Sequence, residues 1–129
     1  MGVAVYENFQ TASMEMCDVV IDAIFGFSFD ARRPLGEPFL SILQSLSCTG
    51  KPIVSVDVPS GWDVDHGPPP ASSHIKPTIL ISLTWPKPCA KEFLGEKHYL
   101  TGRFVPPPIA RKYGLDLSKY GGASLFCRL

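Results

Sequence analysis

The sequence lacks the features that mark nucleic-acid-binding, membrane-spanning and exported proteins. Its 12 basic and 12 acidic residues cancel, so no net charge draws the chain to nucleic acid or to an anionic membrane surface. No apolar run approaches the roughly 20 residues that a membrane-spanning helix needs. The opening MGVAVYENFQ has neither the layout of a secretory signal nor the composition of a transit peptide. We therefore expect a cytoplasmic or mitochondrial protein with no targeting segment in this chain and no membrane span.

Common metal and phosphate motifs are also lacking. No Gly-x-Gly-x-x-Gly or Walker sequence occurs, so no standard phosphate-binding loop is present. The three histidines have no metal-ligand spacing, which argues against a zinc site. The four cysteines are widely spread and form no Cys-x-x-Cys pair: Cys17, Cys48, Cys89 and Cys127. We expect these thiols to be buried and reduced, as in a reducing compartment.

What is present fits one α/β domain. The chain has 129 residues, of which 45% are hydrophobic and 19% are charged, and this size and composition suit a single folded domain over 1–129. Residues 1–17 form an N-terminal segment with weak patterning. Residues 18–27 are almost continuously apolar, which predicts a strand covered on both faces. A helix is predicted over 37–47, because Phe39, Leu40, Leu43 and Leu46 recur at helical spacing.

Further elements follow along the chain. The apolar run 53–58 predicts a strand, so that strand, helix and strand make a βαβ unit, and 78–84 predicts a third strand. We expect a proline-rich loop over 67–74 and one helical turn within 88–95. An edge strand or hairpin over 98–105, a short helix over 106–113 and a loosely ordered tail from 115 onward complete the prediction. The three central parallel strands make a thin sheet, which indicates a Rossmann-like domain whose first half is missing.

Acidic and hydroxyl side chains lie in or after the first two predicted strands. Asp57 follows IVSV and precedes the turn Pro59-Ser60-Gly61, whereas Asp22 lies among apolar neighbours. Because ligands collect at the carboxyl ends of parallel strands, these acids are candidate site residues. Neighbouring carboxylates can be buried together only with a cation or a retained proton. A cation bound by Asp22 and Ser60 is one interpretation; a carboxylate that caps a loop through backbone amides is the other.

Other polar residues have simpler interpretations. Lys87 follows the third predicted strand and is a candidate phosphate contact or general acid, although a solvated surface lysine is the commoner situation. The turn 26–28 offers backbone amides to an anion, or is an ordinary loop. Arg32 and Arg33 could bind phosphate or be a solvated pair. The Asp-x-Asp pair at 63 and 65 is explained by turn capping as well as by a metal.

Several motifs together resemble one known family. The segments are IDAIFGFSF (21–29), SVDVPSGWD (55–63), ISLTWPK (81–87), HYL (98–100) and GRFVPP (102–107). They occur in the order found in the NAD(P)H-hydrate epimerases, the YjeF N-terminal domain proteins. The resemblance implies a three-layer Rossmann-like fold, a homodimer, and interconversion of the R and S forms of hydrated NADH or NADPH. One branch of the family is named for binding apolipoprotein A-I, which implies a non-catalytic interaction protein as the alternative.

The resemblance also assigns roles to residues. It implies that Asp22 and Ser60 bind a potassium ion and that Asp57 contacts the substrate. We expect Asp57 to transfer a proton near the nicotinamide hydroxyl, with Lys87 as a helper in catalysis. The family's nucleotide-binding loop corresponds to Gly26, Phe27, Ser28, Phe29, Asp30, Ala31 and Arg32.

The chain departs from the family pattern in three places. The family's phosphate-binding Asn-Asn-Gly-Gly-Asp segment is not found in this sequence, which is why we expect the first half of the domain to be missing. The loop after Phe29 is slightly longer than the family pattern. Trp85 replaces the small residue that usually precedes Pro-Lys. The first departure predicts reduced folding and activity of this chain on its own.

Overall fold

Within the described residues, five short strands form a single sheet in chain order. The computed structural model describes residues 2–9, 14–70, 74–102, 104–116 and 121–129. The strands are β1 (Val20–Asp22), β2 (Ile53–Val56), β3 (Ile79–Leu83), β4 (Lys97–Thr101) and β5 (Phe126–Arg128). The helices are α1 (Phe39–Ser47), α2 (Pro107–Tyr113) and a 3₁₀ helix at Pro88–Glu92. β1 to β4 are parallel and β5 is antiparallel to β4, which confirms the α/β, Rossmann-like fold class.

The elements with strong local patterns lie where the sequence predicted them. Helix α1 follows the apolar spacing and ends at Ser47 with Cys48 as its C-cap, and strands β2 and β3 lie within the predicted apolar runs. Helix α2 starts at Pro107, where a proline costs no hydrogen bond, and its C-cap Gly114 has φ 63°. The predicted βαβ unit is confirmed, because β1 and β2 pair in parallel.

Three predictions about the remaining strands are wrong. The run 18–27 forms a strand only at Val20–Asp22 and is not covered on both faces, since Ile21 is 68% exposed. The strand predicted within 98–105 is β4, but it is not an edge strand, because it lies inside the sheet between β3 and β5. The tail is not loosely ordered throughout, because Phe126–Arg128 forms the edge strand β5. The sheet therefore has four parallel strands instead of three.

Parts of some predictions fall outside the described residues. These are 71–73 in the proline-rich loop, 103 in the GRFVPP segment and 117–120 in the tail, together with 1 and 10–13 in the N-terminal segment. Among the described residues, no helix is both long and apolar enough to cross a membrane.

The core lies between α1 and one face of the sheet. Leu43 and Leu46 of α1 pack with Ile53 of β2 and with Ile75, and all four are less than 9% exposed. Phe39 and Leu40 in the first turn of α1 are about 40% exposed, so only the later half of the predicted apolar face enters the core. A second cluster, Val58, Trp62 and Cys89, packs beneath the turn that follows β2. These two clusters fix the turn that carries the candidate site residues.

The other face of the sheet is more open. The alternation of side chains along parallel strands places Ile21, Ile81, Tyr99 and Phe126 on that face. Phe126 is 57% exposed, and its ring meets that of Tyr99 edge-on with centroids 5.7 Å apart. By contrast, Asp22, Ser55, Leu80 and Ser82 on the covered face are at most 1% exposed. The covered face therefore contains the polar side chains that need partners.

Truncating Leu46 tests the assignment of the core. Leu46→Ala is expected to lower the free energy of unfolding by about 2 to 5 kcal/mol, because it leaves a cavity between α1 and β2. Leu40→Ala is the control, since it makes the same substitution in the same helix at a position that is 40% exposed. Urea denaturation followed by circular dichroism measures both. Equal losses in the two variants would contradict the placement of the core.

Candidate functional site

The carboxyl edge of the parallel strands brings the polar residues together. β1 ends at Asp22, β2 is followed directly by Asp57, and β3 is followed by Thr84 and then Lys87. Neighbouring parallel strands end at the same edge, so these groups share one side of the sheet. The turn Pro59-Ser60-Gly61 lies at that edge as well. The sequence predicted this convergence from the strand ends alone.

Asp22 is buried and only one of its two oxygens has donors. Its Oδ2 accepts a hydrogen bond from Ser55 Oγ at 2.7 Å and another from the Ser60 backbone N–H at 2.9 Å. The residue is only 1% exposed, so water does not reach it freely. Its Oδ1 nevertheless has no hydrogen-bond partner in the described part of the chain. One backbone amide therefore caps Asp22, as the simpler interpretation expected. That interpretation leaves the second oxygen unexplained.

Ser60 joins the turn after β2 to the loop after β1. Its Oγ accepts a hydrogen bond from the Phe25 backbone N–H at 3.0 Å, while its own backbone N–H donates to Asp22. The residue is 1% exposed. Since a hydroxyl oxygen has two lone pairs, Ser60 Oγ keeps acceptor capacity for a second partner. Asp22 and Ser60, the two predicted metal ligands, are thus adjacent.

Asp57 occupies an unusual backbone conformation. Its φ is 70°, in the left-handed region that non-glycine residues rarely adopt. Thr84, which follows β3, has φ 67°, and for a β-branched residue this is still less common. Such strain persists only where the surrounding structure enforces it, and it concentrates at functional sites. Both residues occur where a strand leaves the sheet at the candidate edge.

The Asp57 carboxylate connects three segments of the chain. Its Oδ2 accepts a hydrogen bond from the Phe27 backbone N–H at 3.2 Å, and its Oδ1 forms a short ion pair with the Lys87 ammonium. Lys87 Nζ also donates to the Leu83 carbonyl at 2.8 Å. The side chains of Asp57 and Lys87 are 10% and 21% exposed. The partners of Asp57 therefore lie outside its own turn, and Lys87 is not a solvated surface lysine.

The loop after β1 runs against Asp57. A Cβ added to Gly26 would lie 3.3 Å from Asp57 Oδ2, so a side chain at that position would crowd the carboxylate. Phe27 and Ser28 are exposed, and Phe29 stacks on Phe25 with ring centroids 4.5 Å apart. The glycine thus permits the close approach that places the Phe27 amide on Asp57.

An open cavity of about 400 Å³ lies beside this loop. Phe29 and Ala31 line it from the loop, Ser60 and Gly61 from the turn after β2, and Leu43 from α1. The cavity is large enough for part of a nucleotide-sized ligand. Two residues of the predicted nucleotide-binding loop and one predicted metal ligand therefore share a concave surface.

The arginines of the predicted loop have local partners. Arg32 Nε lies 2.8 Å from Asp30 Oδ1 and Arg33 Nε lies 3.5 Å from Asp30 Oδ2, and both arginine side chains are at least 85% exposed. The hydrogen bond from Arg32 lowers the pKa of Asp30. The interpretation as a solvated arginine pair fits this geometry. Asp30 and Arg32 thus pair with each other at the surface.

The Asp-x-Asp sequence at 63 and 65 caps a turn. Asp63 Oδ1 accepts hydrogen bonds from the backbone N–H groups of Asp65 and His66, each at 2.9 Å. These bonds to His66 and Asp65 lower the pKa of Asp63. Within the described ranges, no three His, Cys, Asp or Glu side chains cluster closely enough to bind a metal ion. The turn-capping interpretation of this motif is confirmed.

Comparison with known proteins places these residues in a family context. The family described as YjeF-related protein N-terminus matches residues 1–89. The chain belongs to this family. NAD(P)H-hydrate epimerases of Anopheles gambiae and Aedes aegypti are 51% and 50% identical to it over 111 residues, which make up 86% of this chain and 47% of each relative. The chain therefore spans about half the length of the curated relatives that it matches.

A solved structure of similar sequence has the same fold. The crystal structure of the yeast protein ynu0 (YNL200c) superposes on this YjeF-family chain with a TM-score of 0.78 and 44% sequence identity. The match covers 87% of this chain and 46% of the yeast chain. The separate match to the family model covers residues 1–89 and therefore includes the weakly patterned N-terminal segment.

Sequence reasoning missed some residues that this YjeF-family site depends on. The sequence pattern predicts only a strand position for Ser55, yet the residue is fully buried and donates to Asp22. The available signal in the sequence was a serine within the apolar run of β2, because a hydroxyl buried in a strand needs a hydrogen-bond partner. The Phe25 amide and the Leu83 carbonyl were also missed. Contacts made by main-chain atoms cannot be inferred from residue types, because every residue has these atoms.

The four cysteines are free thiols, but they are not all buried as expected. Cys48 is exposed at the end of α1, and Cys17 and Cys127 are half-buried. Cys89 is 1% exposed beside the site. Burial, and after it the negative charge of Asp57, raises the pKa of Cys89 to about 11. Cys89 is therefore a protonated packing residue at neutral pH.

Removing the Lys87 ammonium tests its partnership with Asp57. Lys87→Met is expected to lower the free energy of unfolding by about 3 kcal/mol, because it leaves a buried carboxylate without its cation. Lys91→Met at an exposed position is the control. The double variant Asp57→Asn/Lys87→Met should lose less than the sum of the two single variants. Additive losses in urea denaturation would contradict the ion pair.

The raised pKa of Cys89 predicts a distinctive pH profile of alkylation. Because the thiolate is the reactive form, iodoacetamide should reach Cys89 in the folded protein only as the pH approaches 11, and the exposed Cys48 serves as the accessible reference thiol. Peptide mass spectrometry measures the extent at each cysteine. Asp57→Asn should move the Cys89 profile to lower pH, whereas Asp65→Asn should leave it in place. Complete alkylation of Cys89 in the folded protein at neutral pH would contradict the burial.

Proposed function

We propose that this chain carries the catalytic edge of an epimerase that interconverts the R and S forms of hydrated NADH or NADPH. The observation that carries the proposal is the partly buried Asp57–Lys87 pair at the carboxyl edge of the sheet, where Asp57 also accepts a hydrogen bond from the Phe27 amide. The insect relatives named NAD(P)H-hydrate epimerase support the choice of substrate. The open cavity beside the loop, which Phe29, Ala31 and Ser60 line, supports the proposal as a concave surface for part of a nucleotide.

The proposed chemistry needs a group that moves one proton. The hydroxyl of the hydrated ring is on the carbon next to the ring nitrogen, and inversion requires one bond at that carbon to break and re-form. Asp57, paired with the Lys87 ammonium, takes the hydroxyl proton while the carbon–nitrogen bond breaks, so that a carbonyl forms and the electron pair of the broken bond stays on the ring nitrogen. The nitrogen then adds to the other face, and the same proton returns to oxygen. Lys87 holds the carboxylate in place and balances its charge.

We assign the predicted loop to substrate binding within the same proposal. Phe29 and Ala31 line the cavity, and Gly26 allows the loop to approach Asp57. Phe27 and Ser28 project from this loop and are exposed, so they are available to a ligand. Asp30 and Arg32, which pair with each other, would contact the outer part of the nucleotide.

A potassium ion is the cofactor that we propose for the second acid. The buried Oδ1 of Asp22, which has no donor among the described residues, and the spare acceptor capacity of Ser60 fit a cation that prefers oxygen ligands. Asp22 and Ser60 would hold the ion. Its charge would balance that of Asp22, so that two carboxylates can be buried at the same edge of the sheet.

A homodimer is also part of the proposal, on the basis of the family resemblance. The alternative is a non-catalytic interaction protein of the same fold with an apolipoprotein as its partner. The two differ in whether Asp57 is needed for chemistry. A direct assay of the purified chain separates them.

The assay uses partly hydrated NADH together with a dehydratase specific for the S form. The chain should allow consumption of the R form, and Asp57→Asn should slow this about 100-fold or more, the usual contribution of a general acid or base. Asp65→Asn removes an exposed carboxylate outside the site and is the matched control. If Asp57→Asn keeps the wild-type rate, the role of Asp57 is wrong. If the wild-type chain gives no acceleration, the proposed epimerase activity of this chain is wrong.

A further inference from the structure

Ser55 and Asp22 are direct neighbours across two parallel strands. Asp22 ends β1 and is in register with Ser55 of β2, so both side chains lie on the covered face of the sheet. Ser55 is fully buried and Asp22 is 1% exposed. Ser55 Oγ donates to Asp22 Oδ2 at 2.7 Å. This hydrogen bond to a charged acceptor in a dry environment is stronger than an ordinary one.

Both donors to Asp22 are on the same oxygen. The Ser60 backbone N–H donates to Oδ2 as well, at 2.9 Å, and Oδ1 has no donor among the described residues. A carboxylate with only a structural role would be expected to satisfy both oxygens, because an unpaired buried charge is costly. The two donors fix the carboxylate plane and leave Oδ1 free. A carboxylate arranged in this way is prepared to ligate a cation through one oxygen.

The geometry points to Ser55 as a positioning residue that orients Asp22 toward the cation. This inference rests on the potassium site proposed above. Ser55 itself does not touch the ion; it acts through Asp22. Hydrogen bonds to a ligating side chain typically contribute 10- to 100-fold to metal affinity. Loss of the Ser55 hydroxyl should therefore weaken binding of the ion while the fold is kept.

The sheet provides a matched control for Ser55. Ser82 of β3 is also fully buried on the covered face, but its hydroxyl pairs with His98 Nε2 at 2.8 Å. Ser82→Ala therefore removes the same atom from the same kind of environment without touching Asp22. Any effect on cation binding that Ser55→Ala has and Ser82→Ala lacks comes from the Asp22 contact.

Thermal unfolding of the full chain in KCl measures the effect, and choline chloride at equal ionic strength is the control salt. KCl should stabilise the wild type more than choline chloride does, since an ion that binds only the folded state raises the unfolding temperature. In Ser55→Ala the K⁺ concentration that gives half of this extra shift should rise about tenfold or more. Ser82→Ala should keep the wild-type value, and Asp22→Asn should lose the shift.

Two further variants distinguish a loss of K⁺ binding from a loss of folding. Ser55→Thr keeps the hydroxyl and should retain K⁺ binding, whereas Ser55→Cys keeps a similar volume with a weak donor and should weaken it. Equal K⁺ responses of the two alanine variants would overturn the role of Ser55 while leaving the potassium site in place. A wild-type chain with no K⁺-specific shift would overturn the site and this inference together. The role of Asp57 is judged separately, by its own assay.

Discussion

Two carboxylates are buried at the carboxyl edge of one parallel sheet, and the structure around them is arranged to satisfy them. Water cannot solvate these charges, so each needs donors or a counter-charge from the chain. Asp57 obtains both from the Phe27 amide and the Lys87 ammonium. Asp22 obtains two donors on one oxygen. Because the donors come from segments distant in sequence, satisfying the charges also ties those segments together.

The backbone is strained where this edge forms. Asp57 and Thr84 both have φ near 70° at the point where a strand leaves the sheet. A left-handed residue of this kind costs roughly 1 to 3 kcal/mol. The clusters beneath the turn, with Trp62 bonded through its indole N–H to the Ile75 carbonyl at 2.9 Å, keep the turn in place. The packing of these clusters therefore offsets the cost of the left-handed backbone conformation at Asp57, the residue that pairs with Lys87.

Local sequence patterns predicted the central elements but not the length of β1 or the places of β4 and β5 in the sheet. Helix α1 and strands β2 and β3 follow from apolar spacing and from turn residues, which act within a few positions. β4 and β5 do not, because their place depends on a pairing between residues such as Leu100 and Cys127, far apart in sequence. β1 is shorter than its apolar run because its neighbours along the chain turn toward Asp57 and Ser60 instead of continuing the sheet.

The sequence by itself determined the α/β class, the family and the identity of the polar groups at the strand ends, because strand ends and turns are encoded by neighbouring residues. Only the tertiary structure decided which groups meet. Lys87 joins Asp57 instead of water, Arg32 joins Asp30, and Ser55 joins Asp22. These pairings depend on strand register and on the path of each loop, and long-range packing fixes both.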